Sequence, residues 1–396
     1  MFEIVEKEQR SPNGRTVIKV IGVGGAGGNA VDHMVREGVQ GVEFITANTD
    51  AQALARSLAP VRIQLGTSGL GAGSKPEAGR AAAQESHDAI AAALADAHMC
   101  FITGGMGGGT GTGAAPVVAE IARELGILCV AVVTKPFDFE NRLRVAESGI
   151  EELGRYVDSL IVVLNDKLLE VYGDEATFEE CFRASDNVLC KAVGGISEII
   201  NAPGLVNVDF QDVRTAMGEM GRAMMGSAEA AGVDRARIAA EQAVGSPLLE
   251  GTELSGARCV LINITAAKGS LKLAEVKQAV HTVQAFAASE AFVKYGTVFD
   301  DSMEDRLRVT VVATGLGAPR TPEIRVVARG TGTHGPAVSG GTNGFDDLGV
   351  FRPRSRGGRL EPTSRSIISS SVASSVAATA TTGTYDIPAF LRRQAD

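Results

Sequence analysis

A run of glycines and threonines from Gly104 to Gly113, GGMGGGTGTG, constrains this chain more than any other stretch. It follows an apolar run over 99–103 and precedes a helical pattern over 114–124, in which Pro116 would occupy the first turn. Glycines let backbone N–H groups approach an anion closely, and a helix N-terminus adds partial positive charge. The order of strand, glycine loop and helix therefore predicts a phosphate-binding loop rather than a flexible connector.

A second glycine cluster, Gly22 to Asn29, also lies between a strand-like run and a helical pattern. Its glycines fit G-x-G-x-x-G, and Asp50 follows where a dinucleotide-binding fold places its ribose acid, so this motif alone would indicate NAD. A third loop, 69–74, precedes another helix. Three glycine loops suit a triphosphate better than a dinucleotide. The chain has no G-x-x-x-x-G-K-[ST] motif, which argues against a P-loop NTPase.

Composition narrows the class of protein further. The net charge of −9 argues against nucleic acid as a main partner, because phosphate backbones require a basic surface. We expect no membrane span, since no apolar run approaches about 20 residues, and the charged N-terminus does not resemble a signal peptide. We therefore expect a cytoplasmic protein. The five cysteines lack C-x-x-C spacing, so we expect neither a disulfide nor a metal cluster.

Hydrophobic periodicity predicts an α/β fold with two domains. Strand-like and helical patterns alternate over the first ~175 residues, which is typical of a parallel sheet covered on both faces. The predicted strands there are 17–23, 42–48, 99–103, 127–133 and 159–164. Apolar positions at three- and four-residue spacing then predict a long helix over 178–201. Beyond it, strands at 257–265, 307–314 and 324–328 with a helix at 271–287 predict a smaller α+β domain.

Several motifs, in order, carry a family resemblance. They include the 104–113 run, VVTKPF at 132–137, NDKL at 165–168, NVDFQDVR at 207–214 and RVTVVATG at 308–315. With these motifs the chain resembles the FtsZ family, the bacterial tubulin-like GTPases whose filaments form the division ring. The resemblance implies a tubulin-like fold, GTP and GDP as ligands, and hydrolysis that depends on polymerisation. It covers residues ~12–316 and the last dozen residues.

The resemblance and the periodicity together predict six segments. They are a flexible N-terminus (1–11), a GTP-binding domain (12–177), a central helix (178–203), a C-terminal GTPase-activating domain (204–330), a disordered linker (331–384) and a partner-binding peptide (385–396). The linker is predicted from its Gly, Ser, Thr, Pro and Ala content.

The resemblance also implies which residues contact GTP. The predicted contacts in the three loops are Gly24, Gly25, Ala26, Gly27, Gly28, Asn29, Gly71, Ala72, Gly73, Gly107, Gly108, Gly109, Thr110, Gly111 and Thr112. Outside the loops they are Glu140, Arg142, Arg144 and Asn165, together with Phe182 and Asp186 on the long helix. The run between Phe137 and Gly149 is shorter than usual, so which of Arg142 and Arg144 approaches the nucleotide stays open.

Base selection is expected from the long helix. Phe182 and Asp186 lie one turn apart and share a face. By the resemblance, Phe182 stacks on the base, Asp186 accepts the paired donors of guanine, and Asn165 bonds the base or sugar. Without the resemblance, a core phenylalanine and a solvated aspartate would be the simpler interpretation.

The catalytic residues implied by the resemblance are Asn207 and the acids Asp209 and Asp212, in a loop that enters the nucleotide site of the next subunit. Local chemistry alone also fits a helix N-cap at Asp209 with Asp212 completing the first turn. A head-to-tail homopolymer with Mg²⁺ bound through the nucleotide phosphates is therefore expected, with no metal ligands from the protein. Two other classes stay as alternatives, a nicotinamide oxidoreductase and a scaffold that binds GTP without hydrolysing it.

The tail 385–396 spaces Ile387, Phe390 and Leu391 at three and four residues. Such a peptide is too short to be helical alone but can fold against a partner. The resemblance implies binding to membrane-tethering division proteins of the FtsA or ZipA type, at a midcell division ring. A frayed terminus with chance apolar residues is the alternative.

Overall fold

Continuous runs of apolar residues build one mixed sheet with helices on both faces. The computed structural model describes residues 16–173, 177–201, 206, 208–218, 221–246, 256–288 and 290–316. The described residues all fall within one compact unit, Met1–Glu323.

Ten strands form this sheet in the order β3-β2-β1-β4-β5-β6-β7-β10-β8-β9. Strands β1 to β6 are parallel, and β7 continues the sheet parallel to β6. Strand β10 is antiparallel to both β7 and β8, and β9 pairs parallel with β8 at the end of the sheet. The strands are β1 (Ile18–Val23), β2 (Glu43–Asn48), β3 (Val61–Gln64), β4 (Met99–Gly105), β5 (Leu128–Lys135), β6 (Ser159–Leu164), β7 (Gly221–Ala231), β8 (Cys259–Ala266), β9 (Phe292–Phe299) and β10 (Arg306–Leu316).

Helices connect the parallel strands, because strands paired in parallel need a crossover connection. In the described residues they are α1 (Gly24–Arg36), α2 (Ala51–Arg56), α3 (Pro76–Glu85), α4 (His87–Leu94), α5 (Thr110–Glu124), α6 (Leu143–Leu153), α7 (Asn165–Tyr172), α8 (Phe178–Asn201), α9 (Phe210–Met217), α10 (Arg235–Val244) and α11 (Leu273–Phe286). The long helix predicted over 178–201 is present as α8. We find no described helix with the length and apolarity that crossing a bilayer demands.

The parallel part of the sheet is buried on both faces. Successive residues of β1 show this, because Val20 packs with α1 and α8 whereas Ile21 packs with α4 and α5. A third apolar cluster joins α10 and α11 to β8 and β10. The smaller α+β domain expected after the long helix is therefore present, and its strands continue the same sheet.

Two helices begin earlier than their sequence predicts. Helix α1 begins at Gly24 and α5 at Thr110, so residues 24–29 of the first glycine cluster and residues 110–113 of the second run belong to these helices. Pro116 consequently lies in the second turn of α5, and the prediction that it lies in the first turn is wrong. Glycine has a low helix propensity, which is why periodicity placed both helix starts too late.

Three strands were not predicted, and several predicted segments lie outside the described residues. Strand β7 has no β-branched residues, so its sequence gives no strand signal. Strand β3 has only four residues, which is a short pattern. Strand β9 was not predicted, although it contains aromatic and β-branched residues. The predictions for 1–11, 324–328, 331–384 and 385–396 fall outside the described ranges.

Candidate nucleotide-binding site

The three glycine loops meet because their strands end at the same edge of the sheet. In the register of the parallel sheet, Val23 at the end of β1 pairs with Gly104 in β4, and Gly104 pairs with Val133 in β5. The loops after β1, β4, β5 and β6 therefore open on one side. Ligands of open α/β sheets bind at such a carboxyl edge.

A cavity of about 280 Å³ lies at this edge. Its walls come from both principal glycine loops and from the segments after β5 and β6. The lining residues are Val23, Gly25, Ala26, Gly105, Met106, Gly108, Gly109, Thr110, Gly111, Thr134, Pro136, Glu140, Arg142, Asn165 and Phe182. We call it the phosphate cavity. Gly27, which is buried, and Gly28 belong to α1 but do not line the cavity.

The first turns of two helices, α1 and α5, line the phosphate cavity. The residues before α1 and α5, Val23 and Gly109, provide no side-chain cap for these two fully described helices. By contrast, Asp50 caps α2 by accepting from the backbone N–H groups of Gln52 and Ala53 at 2.8 and 3.3 Å. Uncapped N–H groups and the helix dipole favour an anion. Asp50, the expected ribose acid of a dinucleotide fold, is instead used as a cap.

The loop after β1 requires glycine for a geometric reason. Gly24 has φ of +76°, and a Cβ there would lie 2.9 Å from the backbone nitrogen of Gly111. The first turn of α1 therefore lies directly against the first turn of α5. This contact brings the two uncapped N-termini together.

The third loop packs beside the second. A Cβ on Gly109 would lie 2.9 Å from Cβ of Ala72 and 2.8 Å from the backbone nitrogen of Lys75. Gly71 and Gly73 adopt positive φ angles of 87° and 58°. The predicted loop 71–73 thus lies next to the phosphate cavity, although none of its residues is part of the cavity wall.

The two threonines of the second loop have different surroundings. Thr110 lines the cavity, and its hydroxyl shares a 2.7 Å hydrogen bond with that of Thr49, a residue that sequence reasoning missed. Thr112 is only 3% exposed, and its hydroxyl accepts the N–H of Gly107 at 2.9 Å. Thr112 therefore fixes the shape of the loop, and its placement offers no direct support for the phosphate contact predicted for its hydroxyl.

The structure distinguishes the two candidate arginines. Arg142 lines the phosphate cavity and forms an ion pair with Glu140, whose other oxygen accepts the N–H of Phe137 at 3.0 Å. Arg144 lies in the first turn of α6, exposed and outside the cavity wall. The left-handed backbone at Asn141, with φ of +54°, turns the chain between Glu140 and Arg142.

A second cavity, of about 270 Å³, lies between α1 and α8. Phe182, which is 37% exposed, lines both this pocket and the phosphate cavity. The pocket is lined by Asn29, Asp32, His33 and Arg36 of α1 and by Glu179, Phe182, Arg183 and Asp186 of α8. We call it the base pocket. Asn165, which lines the phosphate cavity, is buried and accepts the Ser185 hydroxyl at 3.1 Å.

The base pocket holds a carboxyl group with an unusual pKa. Burial raises the pKa of Asp186 to about 7, and the positive charge of Arg36 opposes this rise. Nε2 of His33 is buried and has no hydrogen-bond partner among the described residues. A perturbed acid beside an aromatic side chain in a cleft is typical of a binding site.

The predicted acids lie elsewhere. Asp209 caps α9 by accepting the N–H of Asp212 at 2.7 Å, so the N-cap interpretation is confirmed for this chain. The carboxylate of Asp212 lies 2.9 Å from Nζ of Lys294 in β9. In the structure as described, both acids lie outside the walls of the two cavities. Asn207 is outside the described residues.

Comparison with known proteins identifies the family. The GTPase domain of the Tubulin/FtsZ family matches residues 17–173, and the FtsZ family C-terminal domain matches residues 221–317. Cell division protein FtsZ of Pseudomonas putida is 50% identical, with all of both chains covered. The chain belongs to the FtsZ family. FtsZ of Coxiella burnetii is 56% identical over 80% of this chain and 82% of its own. The empty FtsZ dimer of M. jannaschii superposes with a TM-score of 0.73 at 41% identity, covering 77% of this chain and 89% of that one.

Family membership settles the predicted fold and activity. The chain is a tubulin-like GTPase of the kind that forms the division ring, and it has the nucleotide-binding and C-terminal domains of FtsZ. The alternatives of a nicotinamide oxidoreductase and a non-hydrolysing scaffold are therefore wrong.

Sequence reasoning missed five of the eight residues that line the base pocket, namely Glu179 and Arg183 of α8 and three residues of α1. Asp32, His33 and Arg36 of α1 were not predicted to contribute. With Asn29 they follow i, i+3, i+4, i+7 spacing, the same spacing as the four lining residues of α8. A polar stripe at helical spacing directly after a glycine loop was the signal that could have found them.

Proposed function

We propose that GTP lies across Phe182, with its phosphates in the phosphate cavity and its base in the base pocket. The observation that carries this proposal is that Phe182 borders both cavities, one built on two uncapped helix N-termini and the other containing Asp186. The backbone of the loops at 24–29 and 107–111 would bind the phosphates, with the 71–73 loop beside them. Arg142, held by Glu140, would add a charge-assisted contact.

Guanine would be selected by Asp186. Guanine presents N1–H and an exocyclic amine on one edge, and an ionised carboxylate accepts both. Adenine has no such paired donors. Phe182 would stack against the base, and the amide of Asn165 would bond the base or sugar.

Mg²⁺ fits this site as an ion held mainly by the nucleotide. The Thr110 hydroxyl and the Glu140 carboxylate supply oxygen donors at the cavity wall, and Mg²⁺ in nucleotide sites is usually held by phosphates with one or two protein oxygens. Bound there, the ion would neutralise charge on the phosphates.

Hydrolysis would be shared between subunits of a head-to-tail filament. The acids Asp209 and Asp212 lie outside the walls of both cavities, so the described part of one chain does not unite them with the phosphate loops. Presented by the next subunit, together with Asn207, they would orient the attacking water, which is most of what phosphoryl transfer to water requires. The dimer of the M. jannaschii relative is consistent with self-association of this family.

Light scattering and phosphate release, measured together on the full chain, test this proposal. GTP should induce both light scattering and phosphate release, and GDP should induce neither. ATP should not compete with GTP for binding. Asp212→Asn should keep GTP binding but lose phosphate release. Asp234→Asn is a matched control, because Asp234 is an exposed residue with φ of +61°, which asparagine also tolerates. Equal competition by ATP, or normal release by Asp212→Asn, would contradict the proposal.

We also propose that the chain is divided into the six segments predicted from its sequence and that it assembles at a midcell division ring. The tail 385–396 would bind FtsA- or ZipA-type membrane adaptors, with 331–384 as a linker. Deleting 385–396 should leave GTP hydrolysis intact and remove adaptor binding. Loss of assembly on this deletion, or unchanged adaptor affinity, would show that the tail is not an independent anchor.

A further inference from the structure

Strand β9 holds the segment that leads to the acids. The backbone N–H of Val206 donates to the Thr297 hydroxyl at 3.0 Å, and the N–H of Thr297 donates to the Val206 carbonyl at 3.0 Å. A Cβ on Gly296 would lie 3.0 Å from Cγ2 of Val208. The segment before α9 is therefore anchored on β9 at two consecutive residues.

The same strand supplies a cation to the acids. Nζ of Lys294 lies 2.9 Å from Oδ1 of Asp212, and the two side chains are 36% and 29% exposed. The ammonium group also lies 5.5 Å from the centre of the Phe292 ring. The hydrogen bond and charge of Asp212 raise the pKa of Lys294, and the charge of Asp209 adds to this rise. Lys294 is thus protonated at neutral pH and lies in the field of both acids.

Electrostatic repulsion opposes the approach of such acids to a nucleotide. A triphosphate is strongly anionic, so carboxylates from a neighbouring subunit meet electrostatic repulsion as the two subunits associate. A cation bound to one carboxylate reduces that repulsion. It also removes rotamer freedom from the carboxylate, which leaves its second oxygen in a defined position.

We propose that Lys294 is a positioning residue for shared hydrolysis, which fixes the Asp212 carboxylate and offsets its charge as the acids enter the next subunit's nucleotide site. This inference rests on the shared hydrolysis site proposed above. Lys294 itself need not touch the nucleotide. The competing interpretation is an ordinary surface ion pair, which contributes little to stability and nothing to turnover.

Lys294→Met in the full chain tests this inference, because methionine keeps an apolar stem over Phe292 and removes the charge. GTP affinity below the assembly concentration should be unchanged. Turnover per assembled subunit should fall about three- to tenfold, and the protein concentration needed for light scattering should rise by a similar factor. Lys294→Arg should restore both quantities to within about twofold of wild type, because it restores the charge.

The control variant is Arg237→Met. Arg237 forms a similar ion pair, 2.9 Å from Glu241, with the two side chains 43% and 46% exposed, on helix α10 of the same domain. Its loss should change neither turnover nor assembly. Thermal unfolding of each variant shows whether the fold is kept, and Lys294→Gln provides a second charge-free variant if Lys294→Met unfolds.

A double-mutant cycle shows whether Lys294 acts through Asp212. In an Asp212→Asn background Lys294 has lost its ion-pair partner and only the Asp209 carboxylate keeps its charge, so Lys294→Met should change the concentration required for assembly much less than it does in wild type. An equal loss in both backgrounds, or turnover of Lys294→Met within about twofold of wild type, would overturn the inference. Normal hydrolysis by Asp212→Asn would instead overturn the shared site itself, so the two failures are distinguishable.

Discussion

Asp186 on α8 and Arg36 on α1 line the same pocket, and the Arg36 charge counteracts the rise in the Asp186 pKa that burial causes. The resulting pKa of about 7 places the ionisation of this carboxyl near neutral pH. In its proposed role this carboxyl must be ionised to accept two guanine donors, and it is therefore only partly ionised before the nucleotide binds.

Guanine-nucleotide affinity should depend on pH. Below the pKa of about 7 the Asp186 carboxyl is protonated and cannot accept both donors, so binding must expel a proton. Affinity for GDP should rise about tenfold from about pH 6 to about pH 8. Calorimetry on Asp186→Asn, where this carboxyl is absent, reports the pH dependence that comes from the phosphates and from the remaining side chains of the pocket. Identical pH profiles for the two proteins would contradict the role of Asp186.

The nucleotide-free protein should become more stable when Asp186 is replaced by asparagine. Between about pH 4, the pKa of aspartate in an unfolded chain, and about pH 7, the folded protein keeps a proton that the unfolded chain releases. Stability conferred by the protonated acid is therefore lost as the pH rises through this window. At about pH 8, Asp186→Asn should gain about 1–3 kcal/mol in unfolding free energy.

Unfolding of the nucleotide-free protein at several pH values measures this gain. The difference between Asp186→Asn and wild type should shrink towards zero near about pH 4. The exposed Asp234→Asn variant should show no comparable gain at any pH. A destabilised Asp186→Asn at high pH would mean that the carboxylate is paired rather than desolvated.

Alanine substitutions at two adjacent glycines of the first loop should have different effects, one on the stability of the fold and the other on GTP affinity. Gly24→Ala forces alanine into φ of +76° and places its Cβ 2.9 Å from the Gly111 nitrogen, so it should destabilise the fold by about 1–2 kcal/mol or more. Gly25→Ala meets nothing within 4 Å in the protein but lines the phosphate cavity. It should unfold at the wild-type temperature and bind GTP more weakly. Normal GTP affinity in Gly25→Ala would show that the phosphates do not approach this residue.

Arg142 and Arg144 form a natural pair for mutation. Arg142→Met should weaken GTP binding by about 1–3 kcal/mol, because it removes a charge-assisted contact. Arg144→Met, outside the cavity wall, should have little effect. Equilibrium binding of a fluorescent GTP analogue measures both variants, and the reverse order of effects would assign the contact to Arg144.

The phosphate loops could be predicted from local sequence, because strand, glycine loop and helix follow each other within a few residues. The shared face of Phe182 and Asp186 could be predicted too, because the two residues lie one helical turn apart. The position of Arg142 in the cavity wall could not be predicted, since it depends on the left-handed backbone at Asn141. The Lys294–Asp212 ion pair could not be predicted either, because it joins β9 to α9 across 82 positions of sequence. Long-range pairings of this kind leave no periodic signal in the chain.

The shared site is tested most directly by phosphate release from mixtures of wild type and Asp212→Asn. Wild-type protein is held below the concentration at which its own release begins, and Asp212→Asn is added in excess with GTP. Release should rise as the variant is added, because wild-type acids then reach GTP held in the intact cavities of the variant. Adding the Asp186→Ala/Asp212→Asn double variant, whose base pocket is impaired, should give a much smaller rise. A rate that stays at the level of the dilute wild type alone, however much Asp212→Asn assembles with it, would contradict hydrolysis across the subunit interface.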